Sequence, residues 1–188
     1  MPKEKLNMNR SRAHKRLTTM VFCALLIAIQ IILVRFCSIQ TPFQRISLGF
    51  VPMSMAGILF GPVYSCIVAA LADLLGAILF PTGGAFWPGF TIVAALTGLT
   101  YGLLYQRPGA RWSNVQWLIR LGVAVTVVNL FVNLVLGTLN LYFMYGAGAF
   151  AQIPTRAIKV LVMIPIEFAV IFTLNKILAE PLKRQIQK

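Results

Sequence analysis

Hydrophobic positions gather in six blocks along this chain, at about 17–34, 48–60, 63–80, 87–105, 117–142 and 158–178. A helix that crosses a bilayer needs about 20 mostly apolar residues at 1.5 Å rise each. The second block is short for that and is predicted to start or end in a broken segment, while the fifth is long enough to tilt. The pattern predicts an all-α integral membrane protein, a six-transmembrane-helix bundle. A single membrane domain would occupy 17–180, between a basic tail at 1–16 and another at 181–188.

Composition agrees. Of 188 residues, 59% are hydrophobic and 11% charged, where soluble domains have about half and about a quarter. The loops and tails leave no room for a soluble catalytic or nucleotide-binding domain. The first block follows a basic stretch, as in a signal peptide, but it is too long for such an h-region and no small-residue cleavage site follows. It is read as a retained helix. Cys23, Cys37 and Cys66 are odd in number and lack metal-ligand spacing, so neither a disulfide framework nor a zinc site is expected. No Gly-x-x-x-x-Gly-Lys-Ser/Thr phosphate loop occurs, so the chain has no ATPase of that kind.

The net charge of +13 would suggest nucleic acid in a soluble protein, but the cations sit at the ends of the apolar blocks. Lys3, Lys5, Arg10, Arg12, Lys15, Arg16, Arg107, Arg111, Arg120, Lys176, Lys183, Arg184 and Lys188 fall on one side of a six-span topology. Only Arg35, Arg45, Arg156 and Lys159 fall on the other. By the positive-inside rule both termini are cytoplasmic, and anionic lipid accounts for the inner set.

The outer four run against that bias. Arg35 closes the first block, Arg45 ends the following loop, and Arg156 and Lys159 open the last block one helical turn apart. They can converge if the first and last spans are neighbours. A guanidinium grips carboxylate or phosphate through two parallel hydrogen bonds, which points to an anionic ligand. Snorkelling to headgroups also accounts for any one of these side chains, but less well for all four.

The loop from Leu79 to Phe90 carries Pro81, Thr82, Gly83, Gly84, Phe86, Trp87 and Pro88. Its prolines fix shape and its glycines allow close backbone approach. Phe86, Trp87 and Phe90 can stack on a flat ring, although an interfacial aromatic belt also uses tryptophan. Asp73, the sole acid of the third block and within the membrane, is a functional candidate that would either accept from a heterocycle or form an internal ion pair, for which Arg35 is a candidate partner. Asn129, Asn133 and Asn140 recur at helical spacing. Asn129 is expected to bond between helices, while Asn133 and Asn140 lie nearer the ligand. Glu167, two residues after Pro165, lies deep in the last block, where no motif gives it a role.

Five segments resemble a known family: Gly49-Phe50-Val51-Pro52-Met53, Gly57-Ile58-Leu59-Phe60-Gly61-Pro62, Ala69 through Ala77 around Asp73, Phe80-Pro81-Thr82-Gly83-Gly84, and Pro154 through Lys159. They are similar to the folate-specific S components, the FolT type, of energy-coupling factor (ECF) vitamin transporters. The resemblance implies an ECF S-component bundle that captures folate outside and works with a transmembrane coupling protein and two cytoplasmic ATPases. It also implies that Ala24 and Ala28, matching an Ala-x-x-x-Ala pattern, contact the coupling protein. Ala94, Gly98 and Gly102 share that spacing. Folate's flat pterin and dicarboxylate tail fit the aromatic loop and the outer cations, and no cofactor is expected.

Three other readings compete. An S component for riboflavin, thiamine or pantothenate would share the helices and differ in the loop and pocket. An autonomous secondary transporter commonly shows internal repeats, which the two halves lack. A membrane enzyme would need clustered acid, base or nucleophile at depth, yet His14 lies in the basic tail and the acids lie on different blocks.

Overall fold

The computed structural model describes residues 2–40, 45–81, 87–105 and 114–179, and nearly all of them are helical. Helix α1 runs Pro2–Arg35, α2 Phe50–Phe60, α3 Pro62–Leu79 and α4 Pro88–Tyr105. Helix α5, Asn114–Val127, continues through a π-helical segment, Val128–Leu136, into α6, Gly137–Tyr145. A 3-10 stretch, Gly146–Gln152, then leads to α7, Ile153–Leu174, and a final π segment, Asn175–Ala179. The only strands among the described residues are β1, Ile39–Gln40, and β2, Arg45–Ile46, paired antiparallel with Ile39 opposite Ile46 and Gln40 opposite Arg45.

Among the described residues, four helical stretches are long and apolar enough to cross a membrane: Arg16–Arg35, Pro62–Leu79, Pro88–Tyr105 and the 63-residue Val115–Ile177. Helix α2, with 11 residues, falls short, as its apolar block predicted. The fifth and sixth blocks lie together in the last stretch, which folds back after Gly146, a glycine at φ 69°. The basic N-terminal segment is continuous with α1. No glycine or proline interrupts residues 3–35, and lysine and arginine are good helix formers.

The bundle is tightest where α2, α3 and α4 meet. Gly61, at φ 90°, makes the sharp turn between α2 and α3, a conformation glycine adopts without steric cost. Pro62 starts α3 at a position where its missing N–H is not needed. The Ser65 hydroxyl donates back to the Met53 carbonyl at 2.8 Å. Across this turn, Gly98 faces the Ser65 carbonyl and Gly102 faces the Pro62 backbone, so a Cβ at either position would run into main chain. Gly98 and Gly102 thus seat α4 against α3, with which it has its most extensive contact.

The apolar core joins α2, α4, α5 and α7 through Met55, Ile58, Tyr101, Tyr105, Trp117, Leu121, Val125 and Ile171. Helix α1 is peripheral: it rests on α2 and α3 and exposes Leu17, Val21, Leu25 and Ile32, with Ala24 and Ala28 on its exposed surface. Helix α7 packs instead on α5, the first π segment and α2. The first and last blocks are therefore not close neighbours among the described residues, which corrects the condition under which the outer cations were expected to meet.

The seam makes a testable distinction between glycines. Gly98→Ala should lower stability by about 1–3 kcal/mol through overpacking. Gly122→Ala, where an added Cβ finds only Phe168 at 3.7 Å, should be neutral or stabilising by up to about 1 kcal/mol. Thermal unfolding in detergent checks both, and equal midpoints would contradict the packing described.

Candidate functional site

One end of the bundle brings together several of the polar side chains expected at a site. Helices α1 and α3 finish there, with Phe36 and Phe80 edge to face at 5.2 Å, and α4 and α7 begin there. The Arg35 guanidinium lies over Gly76 of α3, where a Cβ would approach its Nε to 2.9 Å. Asp73, one turn along α3, acts on Arg35 electrostatically. Asp73 Oδ2 also accepts a 2.8 Å hydrogen bond from the Thr91 hydroxyl of α4. Asp73 is thus within electrostatic reach of Arg35, and Thr91 ties it to a third helix.

On the other side, Trp87 Nε1 donates to Asn140 Oδ1 at 3.1 Å, and Asn140 Nδ2 donates to the Leu136 carbonyl at 3.1 Å. Gly89 makes room for this pair, since a Cβ there would collide with both side chains. Arg156 Nη1 donates to the Thr138 hydroxyl at 3.1 Å, with its guanidinium against Gly137. Its Nε is buried with no hydrogen-bond partner among the described residues. A buried donor left unmet costs about 1–3 kcal/mol, so this cation is oriented and has one bond to give.

A second polar group lies deeper, among the apolar residues. Glu167, only 4% exposed, accepts at Oε2 from the Tyr101 hydroxyl at 2.8 Å and from Asn129 Nδ2 at 2.7 Å. Asn129 thus bonds between helices, as its depth predicted. Tyr101 stacks on Tyr105 at 5.2 Å. Lys159, two turns nearer the Arg35 end of α7, acts on Glu167 electrostatically.

Of the residues expected at a site, Arg35 and Asp73 come together on one side, and Trp87, Asn140 and Arg156 line the other through α4, α6 and α7. Lys159 acts on the deeper carboxylate through electrostatics. Pro81 is exposed at the end of α3. Asn133 is exposed while Asn129 is buried, so the three asparagines do not share one environment. Buried positions advance by four from Val128 to Val132 and then by five to Gly137, because the π turn breaks the constant helical spacing. Thr82, Gly83, Gly84 and Phe86 lie outside the described residues. Arg45 has its backbone in β2, but its side chain lies outside them too.

Sequence reading missed Thr91, Thr138 and Tyr101. The signal for Tyr101 existed: an intramembrane glutamate needs a partner, and Tyr101 lies at matching depth. Hydroxyls such as Thr91 and Thr138 carry no comparable mark, because threonine in a helix commonly bonds its own backbone.

A family model described as "ECF transporter, substrate-specific component" matches residues 18–178. The chain belongs to this family. It is 35% identical over 158 residues to the folate transporter FolT of Clostridium novyi (strain NT), covering 84% of this chain and 88% of that one. It is 32% identical over 187 residues to the folate transporter FolT of Leuconostoc mesenteroides subsp. mesenteroides, covering 95% and 97%. Among solved structures, FolT bound with folic acid superposes with a TM-score of 0.71 at 34% identity, over 80% of this chain and 87% of that chain. The S component of a bacterial ECF transporter superposes with a TM-score of 0.62 at 25% identity, over 89% and 99%. ECF substrate-specific components are membrane proteins that serve as substrate-binding subunits of transporters, which sets the membership apart from an enzyme or an autonomous carrier.

The Trp87–Asn140 bond is open to direct measurement. Asn140→Ala should cost about 1 kcal/mol, the scale of a hydrogen bond within a membrane protein, and should shift the Trp87 emission. A variant with wild-type stability and spectrum would show that the bond does not hold α4 to α6.

Proposed function

We propose that this chain is the folate-binding subunit of an ECF transporter, capturing folate outside the cell for ATP-driven uptake by its partners. The observation that carries the reading is Arg156: a half-buried guanidinium held by Thr138 and Gly137, its buried Nε unmet among the described residues. An anionic ligand would supply the missing acceptor. The likeness to proteins named as folate transporters and to a structure of FolT bound with folic acid makes folate the natural candidate.

In this reading Arg156 and Arg35 take the two carboxylates of the glutamate tail or a pterin carbonyl, with Arg45 and Lys159 adding positive potential. Trp87 and Phe86 stack on the pterin, Asn140 and Asp73 offer it polar partners, and Pro81, Thr82, Gly83 and Gly84 roof the pocket. The chain crosses the membrane six times, with α2 as a short span and Val115–Ile177 as two, and both termini are cytoplasmic. A transmembrane coupling protein meets the exposed face of α1 at Ala24 and Ala28, where small residues four apart allow close helix approach, and two cytoplasmic ATPases supply the energy.

Equilibrium binding of radiolabelled folate to the purified chain in detergent tests the assignment. Hydrogen bonds to charged groups contribute about 1.5–3 kcal/mol, so Arg156→Ala and Arg35→Ala should each weaken binding by roughly 10- to 100-fold without unfolding the protein. Wild-type affinity in both variants, or no saturable folate binding at all, would overturn it.

A further inference from the structure

The deep carboxylate has no place in the reading above, and its cost is what makes it informative. Replacing a buried charged or polar group by a well-packed apolar residue is often neutral or stabilising, so a glutamate at this depth needs a reason other than holding the bundle together. Glu167 lies eleven residues beyond Arg156 on α7, about 16 Å along the axis at 1.5 Å per residue. Any influence on the Trp87 and Arg156 region must pass through the helices that it joins.

Its two donors, Tyr101 and Asn129, show which helices those are. Tyr101 comes from α4, which starts one residue after Trp87 and has Gly89 in its first turn. Asn129 comes from the start of the π segment, and its amide also donates to the Val125 carbonyl at 3.0 Å one turn earlier. Beyond that point the helix takes its wide turn, and Gly137, Thr138 and Asn140 follow. One extra residue in a turn rotates everything after it by about 100° relative to an unbroken α-helix. Gly137 and Thr138 then face Arg156, and Asn140 faces Trp87. Without a fixed starting phase the same sequence could bring Asn140 and Thr138 round to other partners, because a π turn is a marginal structure.

We propose that Glu167 is a positioning residue for the ligand pocket. By accepting from Asn129 and Tyr101 through one oxygen, it locks the phase of the π segment against α4, and this sets the rotation at which α6 presents Thr138 to Arg156 and Asn140 to Trp87. The inference deepens the folate reading and rests on it for its affinity arm. Its geometric arm stands alone.

The experiment uses the full chain with Trp112 and Trp117 replaced by Phe, so that Trp87 is the sole tryptophan. Glu167→Leu should shift the ligand-free Trp87 emission and weaken folate binding by on the order of tenfold, whereas Glu167→Gln, which keeps a carbonyl acceptor, should restore both. If Glu167→Leu fails to fold, Asn129→Ala removes the link to the π segment alone and should give the same shift. A lower melting temperature with unchanged emission and affinity would make Glu167 a merely structural residue and overturn the proposal. So would a Gln variant as impaired as the Leu variant. A wild-type chain that ignores folate would sink the ligand assignment, and the emission comparison would still decide the positioning role.

Discussion

Lipid offers no hydrogen bonds, and the arrangement of this protein follows from that constraint. Helices satisfy their own backbone groups, so polar side chains at membrane depth must find each other or carry an unmet group at a cost. Here they pair across helices: Thr91 with Asp73, Trp87 with Asn140, Arg156 with Thr138, and both Tyr101 and Asn129 with Glu167. Among the described residues, Gln30 Oε1, the Tyr105 hydroxyl and Arg156 Nε are buried and unmet, and of these only Arg156 Nε belongs to a cation.

Glycine determines where these pairs can form. Gly98 and Gly102 bring α4 onto α3 and the Gly61 turn, which sets the depth at which Thr91 meets Asp73. Gly76, Gly89 and Gly137 make room for Arg35, for the Trp87–Asn140 pair and for Arg156. The bundle is thus apolar and close-packed around Leu121, Val125 and Ile171, and polar where α1 ends and α7 begins. A binding subunit that presents its ligand at one end of a bundle needs this division, since rigid packing at one end holds the side chains at the other in place.

Much of the architecture was legible in the sequence because apolar block length and breakers are local properties. The third and fourth blocks lie within about a residue of α3 and α4, and the short second block became an 11-residue helix. Asn129 was correctly read as an interhelical partner. The π segment was not legible, because widening one turn needs no distinctive residue, and Asn133 was accordingly placed with the other two asparagines. The β1–β2 ladder lies in what the sequence suggested was plain loop. Cation counting singled out Arg35 and Arg156 and made their convergence conditional on the first and last helices being neighbours, a condition not met among the described residues, since helix adjacency depends on packing faces that uniformly apolar stretches do not reveal.

The central claim is that an anionic flat ligand sits between Trp87 and the two arginines. Titrating folate into the chain that keeps Trp87 as its only tryptophan, with free glutamate and a pterin lacking the tail as comparisons, tests this most directly. The account predicts saturable quenching of Trp87 by folate with one site per chain, weaker quenching by the tailless pterin and none by glutamate. Folate binding that leaves Trp87 emission untouched would contradict it.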